Sequence, residues 1–429
     1  MRIALSFYGS RGDVQPGACL GLELSRRGHD VTMLVPPNYV DFVTGLGLRG
    51  VGVGADSESY WDSDRGRATL ATGNPITKVR LAAAQVREGF ARFDADLAAA
   101  VAALADDGGI ESIVSGPLGQ ERCLALAERH GARLATMRFC AMSENGVICA
   151  VPTHRQLPAT VDRLSWRAAD RLTWAASRGS ENRFRASLGL PAAVDPLPTR
   201  LAARGVVQIQ AYDGALFPGL ADEWGPTRPV VGFLDLPDGT RSAVGDGLPA
   251  GLGSWFDAGP PPVFVSFGNA PVRDRAAMAA TVAEGTRRAG VRALVAGLTD
   301  HQGPDPLRAH VFHARRLDHA AVLPRCIAAV HHGGAGTTAA TLRAGLPVLV
   351  CAAGADQMHW GAQVRRLGLG TSTRLARLDA TSLTAALDVL RDPSTRERVA
   401  RLSATLVGPA DAVAAAADAT ETAPTAVKR

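Results

Sequence analysis

Short apolar runs alternate with longer helical stretches from one end of the chain to the other. Ile3 to Phe7 predicts a strand, followed by a glycine turn and a helix from about Gln15 to Arg27. Gly28-His29-Asp30 closes that helix, and Val31 to Val35 predicts the next strand. This βαβ opening builds parallel sheets covered by helices on both faces. Ser112–Ser115, Arg133–Phe139 and Val206–Gln210 predict further strands, with alanine-rich helical stretches such as Lys78 to Leu104 between them. From about Phe217 to Ala250 the density of Pro and Gly rises, with Pro218, Pro226, Pro229, Pro237 and Pro249, and the rhythm breaks as in a linker. It then restarts: Pro262–Phe267, Ala293–Ala296, His310–His313, Ile327–His331 and Pro347–Cys351 predict strands of a second unit. The expected organisation is therefore α/β, with Rossmann-like domains over 1–216 and 251–408, a linker over 217–250, and a C-terminal helix and tail over 409–429 that can pack back on the first domain. Two such domains face each other across a deep cleft lined by the loops at the carboxyl ends of their strands, where open parallel sheets bind ligands.

A length of 429 residues agrees with two domains, and 46% hydrophobic with 20% charged residues excludes a disordered or fibrous chain. The net charge of +5 suits an anionic substrate but is too small and scattered for nucleic acid. Lys78 and Lys428 are the only lysines among 46 basic residues, a bias that a GC-rich genome explains. The six cysteines, Cys19, Cys123, Cys140, Cys149, Cys326 and Cys351, form no C-x-x-C pair and read as buried reduced thiols. No signal peptide and no run of 18 apolar residues is apparent, so a cytoplasmic protein without an integral membrane segment is expected.

Three segments carry candidate chemistry. Val330-His331-His332-Gly333-Gly334-Ala335-Gly336-Thr337-Thr338 lies between a strand and a helix. Its glycines let backbone approach a ligand, and the helix start offers free N–H groups and a positive dipole end, together a phosphate cradle. The segment lacks the Walker A lysine and misses the G-x-G-x-x-G fingerprint, and a plain glycine turn with two structural histidines would read the same way. Asp356 and Gln357, after the strand ending at Cys351, suit polyol hydroxyls or else form a turn with an Asp cap. Gly9-Ser10-Arg11-Gly12-Asp13 follows the first strand, where Asp13 can act as a general base or cap the next helix. No His or Cys spacing supports a metal, Asp94-Ala95-Asp96 reads as a solvated helix face, and no G-x-S-x-G elbow supports serine hydrolase chemistry.

In combination these segments resemble the GT-B fold family 1 glycosyltransferases, of the antibiotic, macrolide and sterol type. Gly9-Ser10-Arg11-Gly12-Asp13-Val14-Gln15-Pro16 is similar to the S-R-G-D-x-x-P signature of that group. Leu323 through Thr337 resembles its donor-site motif, and Ala355-Asp356-Gln357 followed by Trp360-Gly361 resembles its A-D-Q-x-x-W-G block. The resemblance covers essentially the whole chain, and three motifs in order are far more specific than any one.

The resemblance implies an inverting transfer of a sugar from a UDP- or dTDP-linked donor to a hydroxyl of a small apolar or amphiphilic acceptor. No cofactor or metal is implied, and the enzyme is expected as a monomer or homodimer. Asp13 would be the base. His331 and Gly333, Gly334, Ala335, Gly336 and Thr337 would hold the diphosphate, helped by Ser10 and Gly12 across the cleft, with Asp356 and Gln357 on sugar hydroxyls. Arg316 and Leu317 fall where the family grips the nucleobase. Asn269 stands where relatives often have Ser at the diphosphate, and Ala352-Ala353 where many have bulky aromatics. Asp13 replaces a histidine base used by many relatives. The acceptor pocket would draw on N-terminal loops around Trp61, Phe139, Ser143 and Glu144, positions equally suited to core packing. Two other classes remain open: a catalytically silent homologue that activates another transferase, and another GT-B enzyme such as a nucleotide-sugar epimerase.

Overall fold

A computed structural model describes residues 1–57, 75–237, 239–240 and 248–424, with only backbone for 75–90 and 355. The first sheet contains β1 (Arg2–Ser6), β2 (Asp30–Val35), β3 (Arg49–Gly52), β4 (Ser112–Ser115), β5 (Arg133–Arg138) and β6 (Val207–Gln210), in the order β3-β2-β1-β4-β5-β6. The second contains β7 (Val263–Ser266), β8 (Ala293–Ala296), β9 (Gly303–Pro304), β10 (Val311–Ala314), β11 (Ala328–His331), β12 (Val348–Ala352) and β13 (Gly370–Arg374). Its order is β13-β12-β11-β7-β8-β10-β9, and every pairing in either sheet is parallel except β10 with β9. Inner strands such as Val263-Phe264-Val265 are buried residue after residue, as strands covered on both faces must be.

Both orders reverse once, and the reversal opens a crevice at the carboxyl ends of the two strands that flank it. In the first sheet those strands are β1 and β4; in the second they are β7 and β11. The chain leaves β1 into Phe7–Asp13 and leaves β11 into His332–Thr337, so two of the three motifs sit at switch points.

The sequence pattern misplaced or missed several elements. The first helix spans Arg11–Arg26, starting earlier than the pattern indicated because Ser10 caps it while Pro16 lies inside it. A proline favours the first turn, so Pro16 mimicked a start that lies five residues upstream. Strands β3 (RGVG) and β13 (GTSTR) carry almost no large apolar residue; they lie at sheet edges and are largely half-buried.

A shared apolar cluster joins the two sheets. Trp360, 1% exposed, sits edge-on to Tyr212 and Phe217 at ring-centroid distances of 6.3 and 5.6 Å and lies 5.6 Å from Phe233. Phe217, Leu220, Phe233 and Leu236, in the Pro/Gly-rich segment, are buried, so much of that connection is packed core. Asp235 in the same segment accepts from Gln15 Nε2 at 3.4 Å and pairs with Arg343 at 3.8 Å, touching a helix from each side of the cleft. The helix Pro409–Glu421 crosses back: Ala412, Ala416 and Ala417 enter the core of the first sheet, and Asp418 and Glu421 bind Arg27 at 2.6 and 2.8 Å.

Candidate active site

On the first sheet's side, Ser10 and Asp13 form a capping box at the start of the first helix. Asp13 Oδ2 accepts from the Ser10 backbone N–H at 2.8 Å and from Ser10 Oγ at 3.0 Å. Both bonds land on Oδ2, so Oδ1 stays outside the cap. Burial lifts the Asp13 carboxyl above the usual range, against the two Ser10 bonds that pull it down. A raised carboxylate is a stronger base. Gly9 is required beside it: its φ is +135°, and a Cβ there would lie 2.3 Å from Asp13 Oδ2.

On the other side, β11 ends at His331 and Gly334 precedes the helix Ala335–Arg343, which has no side-chain cap. The first N–H groups of that helix are therefore left to a ligand, and an anion is the species they attract. Gly336 is exposed there, with Gly334 and Thr337 half-buried.

His331 does not reach the cleft as expected of a diphosphate ligand. It is fully buried, its Nδ1 accepts the Gly333 N–H at 3.0 Å, and its Nε2 lies 3.4 Å from Thr341 Oγ1. With Nδ1 accepting, the proton sits on Nε2, and burial drives its pKa well below the usual histidine value. His331 is thus a neutral strut beneath the loop. His332, the second histidine of the loop, is wedged between loops: a Cβ on Gly334 would meet its Nε2 at 2.6 Å, and one on Gly268 its Cε1 at 2.9 Å. Burial, with His319 nearby, brings His332 down to about 4 against the Ser266 carbonyl, so it too is neutral at pH 7. The doubled histidine with flanking glycines was the sequence signal for this packing.

Asp356 and Gln357 open the helix Ala355–Arg366 after β12. Gln357 Oε1 accepts the Ala353 N–H at 2.9 Å, leaving the amide NH2 as the group it can offer. Burial raises Asp356 to about 6, and the charge of Asp13 adds to the rise, while its own and the Gln357 backbone N–H groups oppose it. The Asp356 carboxyl thus lies within electrostatic reach of Asp13, which the other sheet carries. Trp360 of the same motif belongs to the shared core rather than to the cleft.

Other expected positions separate. Asn269 is exposed just past β7, at the second switch point. Arg316 is exposed, whereas the Leu317 side chain is buried with Trp255 and Phe256, so only its backbone remains for a nucleobase. Phe139 is core: it stacks on Phe7 at 6.3 Å. Ser143 is buried and its carbonyl accepts from Asn145 Nδ2 at 2.7 Å, while Glu144 pairs with Arg167 at 2.7 Å and takes the Trp224 indole N–H on its carbonyl. These contacts hold in place the loop that carries Ser143 and Glu144. Trp61 lies outside the described residues. All six cysteines are buried and free, and among the described residues no group of three or more His, Cys, Asp or Glu is placed to hold a metal. No helix among them is long and apolar enough to cross a membrane.

Two parallel Rossmann-like sheets, with an acid at one switch point and an uncapped helix at the other, define a two-domain enzyme of the GT-B class. Comparison with known proteins fixes the family. The chain is 40% identical over 423 residues to an uncharacterized glycosyltransferase of Mycobacterium bovis, covering 98% of each chain. It is 29% identical to the O-mycaminosyltylonolide 6-deoxyallosyltransferase of Streptomyces fradiae, over 94% of this chain and 93% of that one. Residues 295–418 match the family described as erythromycin biosynthesis protein CIII-like, C-terminal domain. Among solved structures, the glycosyltransferase of kitacinnamycin superposes with a TM-score of 0.69 at 20% identity, covering 99% of both chains. Glycosyltransferase VinC in complex with dTDP gives 0.61 at 19% identity, covering 98% of this chain and 100% of that one. The chain belongs to the family 1 glycosyltransferases, related to those acting on macrolides and sterols, and is a glycosyltransferase.

Proposed function

We propose that the protein transfers a sugar, with inversion and without a metal, from a dTDP- or UDP-linked donor to a hydroxyl of a small apolar or amphiphilic acceptor. The observation that carries this reading is the pair of opposed switch-point groups: Asp13, raised by burial, and the uncapped helix start at Ala335. The dTDP bound by the fold relative VinC and the deoxysugar named in the Streptomyces relative support a nucleotide-sugar donor.

An alcohol has a pKa near that of water, so a carboxylate cannot deprotonate it beforehand. Proton removal accompanies attack and needs a well-placed base. The acceptor oxygen bonds to the anomeric carbon as the bond from that carbon to the diphosphate oxygen breaks. Asp13 takes the acceptor proton, and the electron pair leaves with the diphosphate. Charge gathering on that group meets the N–H groups of Gly334 to Thr337 and the helix dipole, with His331 holding the loop that aims them. Ser10 orients the Asp13 carboxylate; Asp356 and Gln357 bind sugar hydroxyls.

The test is calorimetric titration with dTDP and UDP, first without metal and then with Mg²⁺, on wild type and Asp13→Asn. Micromolar binding of one nucleotide to both proteins, with transfer reduced by orders of magnitude in the variant, is the expected result. Near-wild-type transfer by Asp13→Asn would remove the base assignment. If neither nucleotide bound wild type, the donor site would be lost and the silent-partner reading would take its place.

A further inference from the structure

A groove of about 290 Å³ runs beside the sugar-binding segment, between the second domain and a loop of the first. Its floor includes Ala352, the last residue of β12, and Met358 of the helix that Asp356 opens. Arg365 enters from the same helix, Arg374 and Arg377 from the end of β13 and the turn after it, and His154 from the opposite loop. Among the described residues no carboxylate lines it.

Several arginines elsewhere in the chain are held in ion pairs. Arg27, Arg122, Arg163, Arg167, Arg185 and Arg200, for example, each hold a carboxylate within 3.0 Å. Arg365, Arg374 and Arg377 have no ion-pair partner among the described residues, and all three are exposed. Like charges gathered around one concavity repel and concentrate a positive field there, and an anion is what relieves it. Guanidinium forks match phosphate and carboxylate oxygens two at a time.

We propose that this groove binds an anionic group, a phosphate or carboxylate, carried by the acceptor. The inference rests on the glycosyltransfer reading and deepens it, replacing a merely apolar acceptor by an amphiphilic one whose acid is held by Arg365, Arg374 and Arg377. The acid anchors the acceptor at the rim of the cleft, and the remainder lies toward Asp13. The donor diphosphate belongs to the separate helix start at Ala335, so the two anions do not compete.

The probe is octyl phosphate, with octanol as its neutral match and inorganic phosphate as the bare anion, each titrated into full-length protein saturated with dTDP. Wild type is expected to bind octyl phosphate with an affinity that falls as salt is added. The triple variant Arg365→Gln, Arg374→Gln, Arg377→Gln is expected to bind it at least tenfold more weakly, with octanol unaffected and dTDP affinity unchanged. The unchanged dTDP affinity also reports that the variant is folded. Octyl phosphate binding well ahead of inorganic phosphate assigns the anion to a lipid-like acceptor; equal binding assigns it to the bare phosphate group. Equal affinity of wild type and variant for octyl phosphate, or no binding to wild type, overturns the proposal. So does a parallel fall in dTDP affinity, because the groove would then serve the donor. Failure of dTDP to bind wild type would instead strike the glycosyltransfer reading and leave the octyl phosphate comparison intact.

Discussion

Replacing Asp356 by Asn should make the protein more stable and less active, and only above a certain pH. Burial and the charge of Asp13 hold the Asp356 carboxyl at about 6, against an ordinary value of 3.8. That is roughly a hundredfold in proton affinity, so the ionised form costs the folded state about 3 kcal/mol at pH 8. The sign follows from proton binding. Because the folded state binds this proton more tightly than the unfolded chain, the stability it contributes is complete below the unfolded pKa and is lost as pH rises through the folded one. From pH 5 to pH 8 alone the wild type should lose about 1.4 kcal/mol through this group. Asn stays neutral and removes that dependence. About 3 kcal/mol is an upper limit, because Asp13 and Asp356 sit on different domains and a slight opening of the cleft relieves part of the repulsion. Asn also accepts the two backbone N–H bonds less well than a carboxylate. Melting curves of both proteins at pH 5 and pH 8 measure the effect, with an expected gain for the variant of about 2–5 °C at pH 8 and clearly less at pH 5. A variant that melts below wild type at pH 8, or by the same margin at both pH values, refutes the argument. Its donor KM should rise at least tenfold, the exchange of stability for binding typical of active sites.

Gly9→Ala is expected to destabilise by about 1–3 kcal/mol and to lower kcat while sparing dTDP binding, because the added methyl displaces the Asp13 carboxylate. Unchanged turnover would show that the carboxylate need not sit where the capping box holds it. His331→Ala should lower both the melting temperature and dTDP affinity, since it leaves the Gly333 N–H buried without its partner, a penalty of about 1–3 kcal/mol. Loss of dTDP affinity with no loss of stability would instead restore His331 as a direct ligand. Transfer activity should survive EDTA; activity abolished by EDTA and restored by Mg²⁺ would show that the helix start at Ala335 does not suffice for the leaving charge.

The α/β class and the inner strands were legible in the sequence because strands covered on both faces must be apolar throughout, as in Ala293–Ala296. Edge strand β13 was not, since Gly370-Thr371-Ser372-Thr373-Arg374 has no apolar run to betray it. The position of the donor loop could be read from its glycines, but the direction of His331 could not. It ends an inner strand, flanked by β12 and β7, where a side chain is buried whichever face it takes. Asp356 shows the same limit. Its acidity depends on Asp13, more than 300 residues away in sequence, and on how the domains meet, which no local pattern encodes. Trp360 was legible as part of a motif, yet its partners Tyr212, Phe217 and Phe233 come from the other side of the seam.

The returning helix at Pro409–Glu421 affects how the protein is made. The strands whose core it completes end at Gln210, so just over two hundred further residues leave the ribosome before Ala412, Ala416 and Ala417 become available. During that interval the first sheet stands with an open apolar face beside the first helix, a state in which a nascent chain is prone to aggregate. The enzyme therefore cannot mature strictly from its N-terminus. Its earliest domain waits for a late segment, and slow elongation between the two would prolong the exposure.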